Sequence, residues 1–194
     1  MTGLGPVAWP PVPIRTDRLV LRESAAWDRA AFVELFASPE VGAYTGGPRP
    51  REELERAVPE VPGRRPGCFV VDLDGAMIGM VTLDRRDAAR RGAGEAELGY
   101  LFLPGAWGHG YAAEACAAVL DWCAGELPGE PVVLCTQTAN DRALRLALKL
   151  GFTEAARFEE FGAEQWFGVR PSPAHRPEVD RPGPESTGTD RQLP

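Results

Sequence analysis

The sequence predicts an α/β fold, closer to α+β, with a mixed, mostly antiparallel central sheet and helices on both faces. Three observations carry this. Strand-like and helix-like segments alternate from residue 14 to residue 170. Asp74-Gly75 stands between two apolar runs, the sequence mark of an antiparallel hairpin. A glycine-rich turn, Trp107-Gly108-His109-Gly110, joins the apolar run Tyr100-Leu101-Phe102-Leu103 to an alanine-rich segment that reads as helix.

Each element follows from local pattern. Leu19 to Arg22 reads as a short strand. Ala25 to Ala37 carries Phe32, Leu35 and Phe36 at helical spacing and is stopped by Ser38-Pro39. Glu52 to Val58 is a short helix before a proline-rich loop reaching Gly67. Cys68–Asp72 and Met77–Leu83 are the hairpin strands, and the charged stretch Asp84 to Gly94 is a loop. Glu95 to Leu103 alternates as a strand. Glu97, Gly99 and Leu101 share one face, and Ala96, Leu98, Tyr100 and Phe102 the other. A helix runs to about Ala124 with Gly125 as its stop. Val132 to Thr138 is a strand, Asn140 to Leu150 a helix stopped by Gly151, and Phe152–Phe158 with Gln165–Val169 closes the sheet. Residues 1–13 are proline-rich and read as a loose arm before a domain at 14–170. Residues 171–194 have little to bury and read as a disordered tail.

Composition narrows the function. Apolar residues make up 44% of the 194, enough for one packed core. A net charge of −7 argues against nucleic-acid binding; it suits either an ordinary acidic surface or a basic substrate. No apolar run is long enough for a membrane span, and the N-terminus lacks a signal pattern, so a cytoplasmic protein is expected. The four cysteines, Cys68, Cys116, Cys123 and Cys135, show no paired spacing and read as reduced thiols. With His109 and His175 the only histidines, no metal site is expected.

The glycine turn is the chemical signal. Bare backbone at a helix N-terminus presents unpaired N–H groups to an anion, most simply a phosphate. A Walker loop needs Gly-Lys-Ser/Thr, which is absent. Gly108-x-Gly110-x-x-Ala113 has dinucleotide spacing, but the next strand ends in Gln137-Thr138 and offers no ribose-binding acid. The third reading is a coenzyme A pyrophosphate loop. Here the sequence resembles the GNAT acetyltransferase superfamily, whose loop has the form Q/R-x-x-G-x-G/A: Trp107 stands at the first position, Gly110 and Ala112 at the fourth and sixth. The form Trp-Gly-x-Gly-Tyr-Ala-x-Glu-Ala resembles the Rim-type branch of ribosomal-protein N-terminal acetyltransferases. So do Ile14–Arg22, Glu97-Leu98-Gly99-Tyr100 before Pro104, and Asn140-x-x-Ala143-Leu144 ending in Leu150-Gly151-Phe152. The similarity spans about Ile14 to Val169.

The resemblance implies acetyl transfer from acetyl-CoA to a primary amine. The acceptor would be a protein N-terminus or a small molecule, and a monomer and a dimer both stay open. Cofactor contacts are implied at Gly108, His109, Gly110, Tyr111, Ala112 and Ala113, along Tyr100, Leu101 and Phe102, and at Asn140, which also suits a helix N-cap. Three positions where relatives carry Glu, Ser or Tyr hold Cys135, Ala143 and Ala147. A non-catalytic acyl-CoA-binding module is therefore the rival reading. Glu97 is the remaining candidate base; otherwise it pairs with an arginine such as Arg85 or Arg86.

Overall fold

The computed structural model describes residue 4, residues 7–87 and residues 89–172. Its frame is an eight-stranded sheet in the order β1-β2-β3-β4-β5-β6-β8-β7. In chain order the strands are β1 (Ile14–Arg15), β2 (Val20–Arg22), β3 (Cys68–Leu73), β4 (Ala76–Arg85), β5 (Ala96–Phe102), β6 (Val132–Gln137), β7 (Thr153–Glu160) and β8 (Ala163–Arg170). Every neighbouring pair is antiparallel except β5 and β6. The helices are α1 (Arg29–Ala37), α2 (Pro39–Gly42), α3 (Arg51–Ala57), α4 (Tyr111–Glu126) and α5 (Asp141–Lys149). None is long and apolar enough to cross a membrane.

Both sheet faces are covered because the central strands alternate apolar side chains front and back. Phe69, Val71, Val81, Leu83, Leu98 and Phe102 pack with Val119 and Leu120 of α4. Cys68, Val70 and Met80 pack with Phe32 and Leu35 of α1 on the other side. The hairpin between β3 and β4 turns at Asp74-Gly75, both with positive φ (53° and 86°), as in a type I′ turn.

Three features depart from the sequence reading. The segment before Pro13 is packed where it is described: Leu4 is fully buried, and Trp9 lies edge-on between Phe69 and Trp122 at 5.1 and 6.3 Å. Proline content lowers the segment's own cohesion, but two large apolar side chains find the open edge of the core. Helix α4 runs through Gly125 and ends at Glu126, with Leu127 as its non-helical cap before Pro128, which disfavours helical geometry at the residue preceding it. The charged loop after β4 hides Arg86, which is 2% exposed. Residues 173–194, which hold most of the expected disordered tail, lie outside the described residues.

The wall formed by α1 is tied to the sheet by charge. Arg22 on β2 holds Asp28, just before α1, through two hydrogen bonds of 2.7 and 2.9 Å, and Asp72 on β3 through two of 3.0 and 2.8 Å. Asp28 is 2% exposed, so a lost partner there would be dry and uncompensated. Arg22→Ala, which leaves Asp28 buried without its guanidinium, should lower unfolding free energy by about 3 kcal/mol. A urea titration checks this; an unchanged midpoint would mean that α1 is held by packing alone.

Candidate acyl-transfer cleft

The parallel pairing of β5 with β6 stops after two residue pairs, Ala96↔Val132 and Glu97↔Val133. Beyond Glu97 the strands part, while β5 stays paired to β4 as far as Phe102 and β6 to β8 as far as Gln137. Between them opens a cleft of about 1640 Å³. Leu103 donates its N–H to Ile78 on β4, so by strand alternation the peptide groups of Tyr100 and Phe102 face the cleft. Trp107 closes one of these groups: its indole Nε1 donates to the Phe102 carbonyl at 2.8 Å. This explains a tryptophan at the loop's first position, since its side chain secures the turn to β5.

At the open end the turn reaches α4. Gly108 and Gly110 both have positive φ (83° and 82°), a backbone that glycine adopts without a Cβ clash. A Cβ on Gly108 would meet nothing within 4 Å, and one on Gly110 only Arg18 Nη2 at 3.6 Å, so open space lies over the loop. Gly108, Gly110, Tyr111, Ala112 and Ala113 line the cleft. His109 turns its exposed ring outward against Tyr111, centroids 5.5 Å apart, and leaves only its peptide for a ligand.

The loop is braced from the N-terminal strands, a feature not legible from single motifs. Glu114, in the first turn of α4, accepts hydrogen bonds from Thr16 Oγ1 (2.5 Å), Arg18 N (3.0 Å) and Arg18 Nε (2.8 Å). Burial pushes its carboxyl up, but the Thr16 and Arg18 hydrogen bonds outweigh this and hold it below the ordinary range. Arg18 also donates to the His109 carbonyl at 3.0 Å. On α5, Asn140 caps the helix by accepting from Ala143 N at 3.2 Å and also lines the cleft. Arg142 lies 5.1 Å over the Trp107 ring and shares with Arg145 a small recess beside Gly108. Neither arginine has a carboxylate partner among the described residues.

The closed end carries the titratable groups. Glu97 Oε1 is bound by the buried Arg86, so the pairing with an arginine is present. Its Oε2 faces Arg90 at 4.0 Å and is otherwise free. Burial raises the Glu97 pKa above the ordinary carboxylate value, against the opposing fields of Arg86 and Arg90. Arg86 also lies 5.2 Å over the Phe167 ring, which is why a loop arginine is dry. Cys135 lines the cleft. Burial raises its thiol pKa more than Arg86 lowers it, so it is held neutral. Ala147 is fully buried. The Tyr100 hydroxyl is buried with no hydrogen-bond partner, and burial keeps it protonated. An unmet buried hydroxyl costs about 1–3 kcal/mol.

Comparison with known proteins agrees with this geometry. A family model described as an acetyltransferase (GNAT) domain matches residues 18–153. The uncharacterized N-acetyltransferase YoaA of Bacillus subtilis is 25% identical over 156 residues, covering 76% of this chain and 86% of YoaA. An acetyltransferase of the GNAT family from Bacillus anthracis superposes with a TM-score of 0.70 at 21% identity, covering 83% of this chain and 99% of the other. A Vibrio cholerae spermidine N-acetyltransferase, solved with CoA and spermine, gives a TM-score of 0.64 at 21% identity over 81% and 97%. RimL, a ribosomal L7/L12 α-N-protein acetyltransferase, gives 0.63 at 15% identity over 82% and 94%. At such identities the structures share the fold, and the Rim type is one neighbour among several. With the family model covering most of the folded region, this chain belongs to the GNAT family of acetyltransferases.

Proposed function

We propose that this protein transfers an acetyl group from acetyl-CoA to a primary amine. The observation that carries this is the parting of β5 and β6 after Glu97, with the glycine turn at the mouth of the gap. The residues present fit the cofactor: cleft-facing peptide groups on β5, and a turn at a helix N-terminus whose two glycines leave open space above the backbone. Amides from Gly108 to Ala113 would hold the pyrophosphate, with Arg142 and Arg145 beside them for the remaining phosphate. Peptide groups of Tyr100 and Phe102 would hold the pantetheine arm, together with Asn140; those of Leu101, expected from the sequence to share this role, face β4 instead. The cofactor, when bound, supplies an activated thioester carbonyl.

The chain's own residues then have two tasks. Free Oε2 of Glu97 takes a proton from the incoming ammonium, directly or through one water, while Arg86 holds Oε1 and fixes the carboxylate's orientation. Tyr100 takes no part in this transfer: its side chain packs on the core beneath α4, and burial keeps it protonated. The form of the Trp107–Ala115 segment points to a protein N-terminus as acceptor. A small amine is the second reading, since Tyr44 and Phe161 add exposed aromatic rings to the cleft lining.

Two outcomes test the assignment. Gly110→Asp places a carboxylate against the pyrophosphate, and Asp tolerates positive φ better than most residues. Calorimetry should show acetyl-CoA affinity falling at least about tenfold, roughly 1.4 kcal/mol, and falling less for the uncharged Gly110→Asn. Equal affinities for wild type and both variants would place the phosphate elsewhere. For Glu97→Gln, which keeps an oxygen for Arg86, turnover should fall about 10²–10⁴-fold with acetyl-CoA affinity nearly intact. Since burial raises the Glu97 pKa, the wild-type rate should fall on acidification at a pH above the ordinary carboxylate range. The variant should lack that limb; a normal rate with the limb retained would exclude Glu97 as the base.

A further inference from the structure

The half of the cleft away from the glycine turn is apolar on its walls. Phe32 and Phe36 of α1, Val41 of α2 and Met80 of β4 line it. At its mouth two aromatic rings stand in water: Tyr44 is 42% and Phe161 82% exposed. Single exposed aromatics are ordinary, but both of these line one cavity.

Phe161 is held there at a cost. It sits at the first central position of the β7–β8 turn with φ of +53°, followed by Gly162 at +74°. The β3–β4 turn meets the same demand with Asp74-Gly75, the pair that tolerates it. A phenylalanine in the left-handed region is strained, and strain of this kind collects where a side chain is wanted by a ligand. Here the strained residue projects an aromatic ring over the acceptor end.

Most charges in this half are already matched. Asp84 is bound by both guanidinium nitrogens of Arg65, one at 2.8 Å. Glu97 has Arg86 and Arg90, and Glu160 has Arg90 at 2.7 Å. Two lining carboxylates have no arginine partner among the described residues: Glu40, exposed at the rim and accepting from Ser38 Oγ at 2.8 Å, and Asp141, at the start of α5 beside Arg142. A polyamine or aminoglycoside brings several ammonium groups, and each needs a carboxylate in exchange for its water. Seating them would require breaking existing pairs.

We propose that the acceptor half takes a primary amine with a single positive charge flanked by an apolar, aryl or branched-alkyl, group, and discriminates against polycations. This rests on the acetyl-transfer reading of the cleft. A free amine and a peptide N-terminus with an apolar first side chain share that chemistry.

The test compares 2-phenylethylamine, 3-methylbutylamine and Phe-Ala-Ala amide with spermidine and kanamycin. Thiol release gives kcat/KM, and calorimetry on the CoA-loaded protein gives amine affinity. At least one apolar monoamine should exceed both polycations by tenfold or more in kcat/KM and in affinity. The ratio of 2-phenylethylamine to the peptide then tells which source the cleft prefers. Arg65→Ala should release Asp84 and raise spermidine affinity at least threefold. Spermidine or kanamycin matching the apolar amines in the wild type would overturn the proposal. So would the absence of binding by any of these amines, or an unchanged spermidine value in folded Arg65→Ala. A tenfold binding preference without turnover of any amine would support the class of ligand and reject acetyl transfer.

Discussion

The parting of β5 from β6 is the constraint on which the rest depends. A parallel pair this short cannot hold two strands together, so their neighbours must do so. Antiparallel partners run the full length of each, β4 beside β5 and β8 beside β6. The separation therefore leaves backbone groups free without loosening the sheet. Leaving buried peptide groups unpaired is unfavourable, which is why the structure closes one of them with the Trp107 indole. What remains open is a strip of β5 backbone ending at a turn that has no Cβ to block approach. Apolar side chains on β5 serve the core on both faces, and the chemistry falls to the main chain.

Much of the fold was legible because local signals were strong and agreed. Asp74-Gly75 demanded a turn with positive φ, and the alternation from Ala96 to Phe102 separated a face packed on α4 from a face toward α1. Asn140 read as a cap and does cap. The glycine turn located the cleft's mouth before any geometry was known. Long-range pairing escaped: neither the bracing of Glu114 by Thr16 and Arg18 nor the burial of Arg86 leaves a periodic trace. Arg86 lies in a loop whose charge suggested solvent, and only its place over Phe167 and against Glu97 makes it dry. Leu4 and Trp9 were hidden by the prolines around them. Gly125 looked like a helix stop because glycine favours that role, yet tertiary packing carries α4 past it to Glu126.

The site is therefore asymmetric in its chemistry. One end is backbone, glycine and two arginines that have no carboxylate partner among the described residues. The other is aromatic, with Asp84 and Glu97 already engaged by arginine. The base we propose is Glu97, whose pKa is raised by burial against the lowering fields of Arg86 and Arg90 and whose Oε1 is held by Arg86. Arg86 thus shapes the site twice, by orienting Glu97 and by removing its charge from any polycationic ligand.

The central claim is that β5 backbone and the glycine turn bind the cofactor as one surface. Hydrogen–deuterium exchange with and without CoA reads this directly, because unpaired amides exchange freely until a ligand covers them. The account predicts slowed exchange at residues 98–103 and 108–113 on adding CoA, with β7 and β8 unchanged. Protection confined to the turn, with none along residues 98–103, would contradict it.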